Sequence, residues 1–431
     1  MTERTIAVNY LARVEGEGAL RVRIRDRSVE EVELRIFEPP RFFEAFLRGR
    51  DYTEAPDVTA RICGICPVAY QMSACHALER ALGIRVDGTL RELRRLLYCG
   101  EWIESHALHI YLLHAPDFLG YPDAIQMARD HPVDVKRGLA LKKAGNSIMR
   151  VLGGREIHPI NVRVGGFYRC PSPDELADLR GSVEQALTLA EETVRFVAGF
   201  DFPPIEEDYE FVALRPPDEY PMNEGPIESS TGLRLDAEQY EDAFEEVHVA
   251  HSNALHSVRK GGGSYLVGPM ARYALNHDRL GSRARAVAQE VGLEPVVRNP
   301  YRSVIVRAVE VVFACEEALR IIDRYHPPDR AFVEPPVIDH PTQGAAATEA
   351  PRGLLYHRYE LEATGRIRSA KIVAPTSQNQ KRIEDDLRHL VARSLDLDEP
   401  SLTAACELAI RNHDPCISCA THFLSLDLVR E

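Results

Sequence analysis

Cys63-Gly64-Ile65-Cys66 and Cys416-Ile417-Ser418-Cys419 are the residues whose type and spacing could do chemistry. A Cys-x-x-Cys turn can aim two thiolates at one point, and thiolates are soft donors suited to late transition metals. A structural zinc knuckle keeps its two pairs about 15–20 residues apart, because the small loop is itself the folding unit. Here 350 positions separate Cys66 from Cys416. A shared site would therefore be assembled by the whole fold from both ends of the chain.

The elements that must position such a site can be read from periodicity. Leu20-Arg21-Val22-Arg23-Ile24 and Val32-Glu33-Leu34-Arg35-Ile36 alternate apolar and polar, so residues 4–37 read as two or three half-exposed antiparallel strands. Beyond residue 57 helical signals dominate. The spacing predicts long helices over 93–113, from Ser172 (N-cap, followed by Pro173) to Gly199, over 236–260 ahead of three glycines, and over 304–324. The last is apolar nearly all round and so belongs at the centre of the fold. Four long helices predict a central bundle. Segments 201–233 and 326–352 read as long connections. The fold class is mainly α with an N-terminal β region (α+β).

Composition excludes several partners. A chain of 431 residues with a formal charge of −14 and no Lys/Arg-rich run is ill suited to nucleic acid or an anionic membrane. No apolar stretch approaches the roughly 18 residues of a membrane span, and the first residues carry neither a signal h-region nor a twin-arginine motif. Nine cysteines are too few and oddly numbered for a disulfide framework. The expectation is a cytoplasmic protein with reduced thiols, four committed to metal. Cys75, Cys99, Cys170, Cys315 and Cys406 then read as small buried residues.

Further motifs accompany the two pairs. Arg61-Ile62-Cys63-Gly64-Ile65-Cys66-Pro67 and Asp414-Pro415-Cys416-Ile417-Ser418-Cys419-Ala420-Thr421-His422 stand at opposite ends of the chain. Between or before them come Arg13-Val14-Glu15-Gly16, Arg41-Phe42-Phe43-Glu44, Gly153 to Pro159 with Gly165-Gly166, Glu349-Ala350-Pro351-Arg352-Gly353, and Pro375-Thr376. Together these blocks resemble the large, catalytic subunit of nickel–iron hydrogenases, over essentially the whole chain. Pro67 to Met72 is similar to the cytoplasmic, NAD(P)-linked branch that includes the sulfhydrogenases. The chain departs from the family pattern at Tyr70, where many relatives have His, and at Ser105, where the membrane-bound branch has Asp.

The resemblance implies a reversible, heterolytic H2 oxidation and assigns roles. Cys63, Cys66, Cys416 and Cys419 would bind nickel, with Cys66 and Cys419 bridging to an iron that carries carbon monoxide and cyanide. Pro351, Arg352, Pro375 and Thr376 would border those iron ligands, Arg352 also overhanging the open edge. Glu15, rather than Glu17, would take a proton from Cys416. Glu44, the Ile372 carbonyl and His422 would hold magnesium. The resemblance also divides the chain into a β region (1–56), a helical catalytic domain (57–422) and a cleavable tail (423–431).

No second four-cysteine set for an iron–sulfur cluster and no Gly-x-Gly-x-x-Gly fingerprint is present. An iron–sulfur small subunit is therefore expected to receive electrons, with flavin and NAD(P) on diaphorase-type partners. A maturation endopeptidase and nickel-insertion proteins are implied as well. Two other classes compete: a metal-free quinone-site subunit of a complex-I-like assembly, which would lack the four cysteines, and a structural zinc protein, which would have no use for Arg352.

Overall fold

The computed structural model describes residues 3–421. Strands β1 (Glu3–Val8), β2 (Gly18–Arg25) and β3 (Ser28–Ile36) form an antiparallel sheet in sequence order. Leu20, Val22 and Ile24 are buried while Arg21, Arg23 and Arg25 alternate outward, as a sheet with one covered face requires.

The longer helices follow: α1 (Pro67–Ala81), α2 (Gly88–Leu108), α3 (Pro132–Gly153), α4 (Pro173–Ala198) and α5 (Ser303–Asp323). Helices α2 to α5 close a bundle in which α2 packs on α3 and α5, and α4 packs on the same two. Ser172 caps α4 as a capping box with Glu175. The α2–α3 crossing is close because Gly100 meets Gly145: a methyl group on Gly145 would stand 2.5 Å from the Gly100 carbonyl oxygen. Helix α5 is buried around nearly its whole circumference, in keeping with its apolar sequence.

A second antiparallel sheet, β4 (Thr342–Ala350), β5 (Gly353–Leu361) and β6 (Ile367–Val373), lies against α1. It is followed by α6 (Pro375–Arg393) and α7 (Glu399–Asn412). The buried face of β1–β3 packs on these last helices through Ile383, Leu387, Leu402 and Ile410. The two ends of the chain thus share one apolar core.

Three sequence expectations are corrected. Residues 236–260 are not a long helix: one helical turn, Tyr240–Ala243, gives way to a hairpin of Phe244–Val247 with His256–Arg259. Tyr240 stacks on Tyr356 and Phe244, and Phe244 packs at a tilt against Tyr265; that packing overrides the local Ala/Glu helix propensity. The fourth long helix of the bundle is instead Pro132–Gly153. Both expected connections hold strands: 201–233 contains the paired strands Val212–Leu214 and Ile227–Ser229, and 326–352 contains strand β4, which escapes the alternation rule because Gly344 to Ala350 are all buried. Cys170 is half-buried, unlike Cys75, Cys99, Cys315 and Cys406.

Candidate metal centre

The first Cys-x-x-Cys turn lies between a short 3-10 turn, Ala60–Ile62, and α1, with Cys66 as the N-cap residue and Pro67 at the first helical position. Proline suits that place because its missing N–H would have had no partner there. The N-terminus of α1 is held by the buried Glu101 carboxylate, which accepts from the N–H groups of Val68 (2.6 Å) and Ala69 (3.1 Å). The second turn begins a single helical turn, Ile417–Ala420, N-capped by Cys416.

Two contacts dock this second turn. Glu15 and Cys416 form a parallel bridge, with Ile417 N–H donating to the Glu15 carbonyl at 2.9 Å. Gly16 makes the approach possible: its φ is +88° and a methyl group there would lie 2.6 Å from Ile417 Cβ. Arg41 then clamps both turns at once, its Nη2 donating to the Ile62 carbonyl (2.7 Å) and to the Ser418 carbonyl.

The result is a convergence of four buried, free thiols. Cys63 Sγ is 3.4 Å from Cys416 Sγ, Cys66 Sγ is 3.4 Å from Cys419 Sγ, and Cys416 Sγ is 2.7 Å from Cys419 Sγ. Hydrogen bonds from Cys416, Cys419 and Cys66 hold the Cys63 thiol well below its usual range, whereas burial pushes Cys416 well above it. Sulfurs this close share protons, and a cation would replace those protons. Four soft donors in a buried pocket fit a thiophilic transition metal.

Polar groups surround the sulfurs. Glu15 Oε2 accepts from Cys416 Sγ at 3.1 Å and from Ser418 N–H at 3.0 Å. Burial, then the charge on Cys63, raises the Glu15 carboxyl above its ordinary value. Glu17 is exposed and its N–H donates to Glu38. Arg352 sits at the β4–β5 turn, 3% exposed, donating to the Asp414 carbonyl (2.8 Å), Asp414 Oδ1 (3.1 Å) and Ser105 Oγ (3.4 Å). Although burial opposes its charge, Asp414 and then the thiolates hold Arg352 firmly protonated. Pro351 precedes it in the same turn. Thr376, second residue of α6 after Pro375, accepts from Cys416 N–H through Oγ1 (3.1 Å), which leaves its own hydroxyl hydrogen to donate. Tyr70 donates to the Cys419 carbonyl at 3.3 Å.

Glu44 and Ile372 also come together, the Ile372 N–H donating to Glu44 Oε1 at 2.7 Å; burial pushes Glu44 up to about 7. His422 and the tail 423–431 lie outside the described residues. Sequence reasoning assigned no role to Arg41, Asp414 or Glu101. The first two stand inside the Arg41–Glu44 and Asp414–His422 motifs. Glu101 gave only a weak signal, an acid embedded in an apolar helix.

Comparison with known proteins places the chain in a class. A sequence model of the nickel-dependent hydrogenases covers residues 41–138 and 243–422. The α subunit of sulfhydrogenase 1 from Pyrococcus furiosus is 34% identical over 98% of this chain and 98% of its own length. The β subunit of the NAD-reducing hydrogenase HoxS of Cupriavidus necator is 27% identical over 98% of this chain and 95% of its own. A crystal structure of an NAD+-reducing [NiFe]-hydrogenase in the H2-reduced state superposes with a TM-score of 0.87, at 27% identity, over 97% of this chain and 99% of that one. The chain belongs to the nickel-dependent hydrogenase family. It is the catalytic large subunit of a nickel–iron hydrogenase, an oxidoreductase acting on H2. The quinone-site alternative is not favoured.

Proposed function

We propose that the pocket of Cys63, Cys66, Cys416 and Cys419 is where this chain runs H2 ⇌ 2H+ + 2e−. The reading rests on one observation: four buried thiols from opposite chain ends meet with a carboxyl of raised pKa hydrogen-bonded to one of them. The four cysteines would hold nickel, with Cys66 and Cys419 shared with iron, and the bound metals would supply the Lewis acidity that polarises H2. The carbon monoxide and cyanide on iron would face Pro351, Arg352, Pro375 and Thr376, whose guanidinium and hydroxyl are the donors a buried cyanide needs. Glu44, the Ile372 carbonyl and His422 would hold magnesium near the closed C-terminal turn.

The chain's own residues handle the protons. Cys416 Sγ is the atom from which Glu15 takes a proton, across 3.1 Å. Burial raises the Glu15 carboxyl, so it holds a proton more readily than an ordinary carboxylate and is suited to accept one and pass it on. Arg352 stays cationic, held from two sides by Asp414; it orients what enters the pocket and offsets the thiolate charge.

Electrons leave through another chain. Among the described residues the only other cluster of potential ligands is His251, His256 and Glu384, which is not an iron–sulfur set. An iron–sulfur small subunit, and diaphorase-type subunits carrying flavin and NAD(P), are the partners this reading requires; the NAD-reducing relatives support the second. No helix among the described residues is long and apolar enough to cross a membrane, which agrees with work in the cytoplasm. An endopeptidase and nickel-insertion proteins would complete the chain after synthesis.

The test is elemental analysis of the natively purified complex together with H2 uptake. One nickel per chain is expected, with iron beyond the partners' clusters. Cys66→Ser and Cys419→Ser should each abolish nickel retention; full uptake by either variant, or zinc in place of nickel in the wild type, would overturn the reading.

A further inference from the structure

A second convergence of ligating side chains lies where the N-terminal sheet meets α6. His251, in the loop of the 244–259 hairpin, and His256, at the start of its second strand, both face Glu384 of α6, and one ligating atom from each lies within 4.8 Å of the other two. His251 Nε2 is 2.7 Å from Glu384 Oε1, and the two imidazoles stand edge to face at 5.7 Å between centroids. Leu34 N–H of β3 also donates to Oε1, at 2.9 Å. That leaves Oε2 turned toward His256, whose Nδ1 is 3.9 Å away.

An ordinary ion pair accounts for His251 and not for His256. The His256 ring is 1% exposed, its Nε2 has no hydrogen-bond partner, and 3.9 Å is too long for a hydrogen bond from Nδ1. It is the right separation for two ligands of one ion: bonds of about 2.0–2.2 Å at a tetrahedral or wider angle place two donors about 3.4 Å apart or more. Nearby cations are already committed, Lys381 to Asp385 and Arg35 to Glu33, so Glu384 is not neutralised by either. His251 borders a groove lined by Asn9, Arg35, Phe37 and Asn253, which gives an ion an entry.

We propose that His251, His256 and Glu384 form a structural site for a divalent ion of the zinc type. Two imidazoles and one carboxylate are the donor set such an ion prefers, and the Leu34 N–H orients the carboxylate from behind. The ion joins three segments remote in sequence: β3 through Leu34, the hairpin through both histidines, and α6 through Glu384. Helix α6 carries Thr376 against Cys416 at its N-terminus, so the ion braces the helix that supports the cysteine pocket. The site stands independently of how that pocket is read.

The experiment uses the assembled, nickel-loaded complex. It is treated with a mild chelator, given a small excess of Zn2+, passed through gel filtration and analysed for zinc, nickel and iron. The expected result is one additional zinc per chain in the wild type, lost in His251→Ala/His256→Ala while the nickel ratio and H2 uptake stay unchanged. Glu384→Gln, which preserves side-chain volume, should lose the zinc too and serves if the double variant loses nickel through misfolding. Absence of added zinc in the wild type, or equal retention in a variant that keeps its nickel, overturns the proposal.

Discussion

At the scale of single residues, position within a hydrogen bond of the sulfur separates Glu15 from Glu17. Both are acids in one short stretch, yet only Glu15 reaches Cys416. Replacing Glu15 with Gln keeps the acceptor oxygen for Ser418 N–H and removes the titratable group beside the sulfur. General acid–base catalysis contributes about 10²–10⁴-fold, so Glu15→Gln should lower H2 uptake by at least about a hundredfold with nickel content unchanged. Glu17→Gln should remain near wild type. Equal losses in the two variants would remove Glu15 from the proton route.

At the scale of elements, the cysteine turns depend on latches that carry no sulfur. Gly16→Ala places a methyl group 2.6 Å from Ile417 Cβ at a φ of +88°, a strain of about 1–3 kcal/mol. The β1–β3 sheet would survive and the Glu15–Cys416 bridge would not, so nickel occupancy should fall while far-ultraviolet dichroism is retained.

The link from β4 to α5 runs through Arg272, which pairs with Glu310 at 2.7 Å and Glu349 at 3.0 Å and lies over Trp102. Burial raises Glu349 to about 7, from 4.5. A carboxyl that holds its proton more tightly when folded contributes stability fully below its unfolded pKa and loses it as pH rises through the folded one. That contribution of Glu349 should therefore decline between pH 4.5 and about 7, and urea midpoints at pH 5 and 8 should differ less in Glu349→Gln than in the wild type.

These elements were unevenly legible. Strands β1–β3 and helices α2 and α4 announce themselves because each has one periodic apolar face or a strong cap, and α5 because it is long and apolar nearly all round. The hairpin at 244–259 was hidden by residues that favour helix locally, and β4 by burial on both faces. Arg41 stands within a motif, but its reach to two carbonyls 356 residues apart, Ile62 and Ser418, is a property of the closed fold and has no local signature. Glu44 and Ile372 were paired from resemblance alone; what is seen is an N–H to carboxylate bond, with His422 beyond the described residues.

At the scale of the molecule, the chain is a hydrogen-splitting site on a helical bundle with no second cysteine cluster among its described residues. Isotope exchange needs only the site, whereas net uptake needs an electron outlet. The nickel-loaded chain freed of its partners should therefore exchange D2 with solvent protons yet support no sustained dye reduction; sustained reduction at the rate of the complex would show that the chain has its own outlet.

The parallel bridge between Glu15 and Cys416 has one more consequence, in time rather than in space. During translation at about 5–20 residues per second, Cys63 leaves the ribosome well before the residues that must meet it. The bundle can be finished while the pocket is still half absent. A chain stopped after the bundle but before Cys416 would hold Cys63 and Cys66 without the two thiols they must meet, so the capacity to take up metal arrives only with the last residues made.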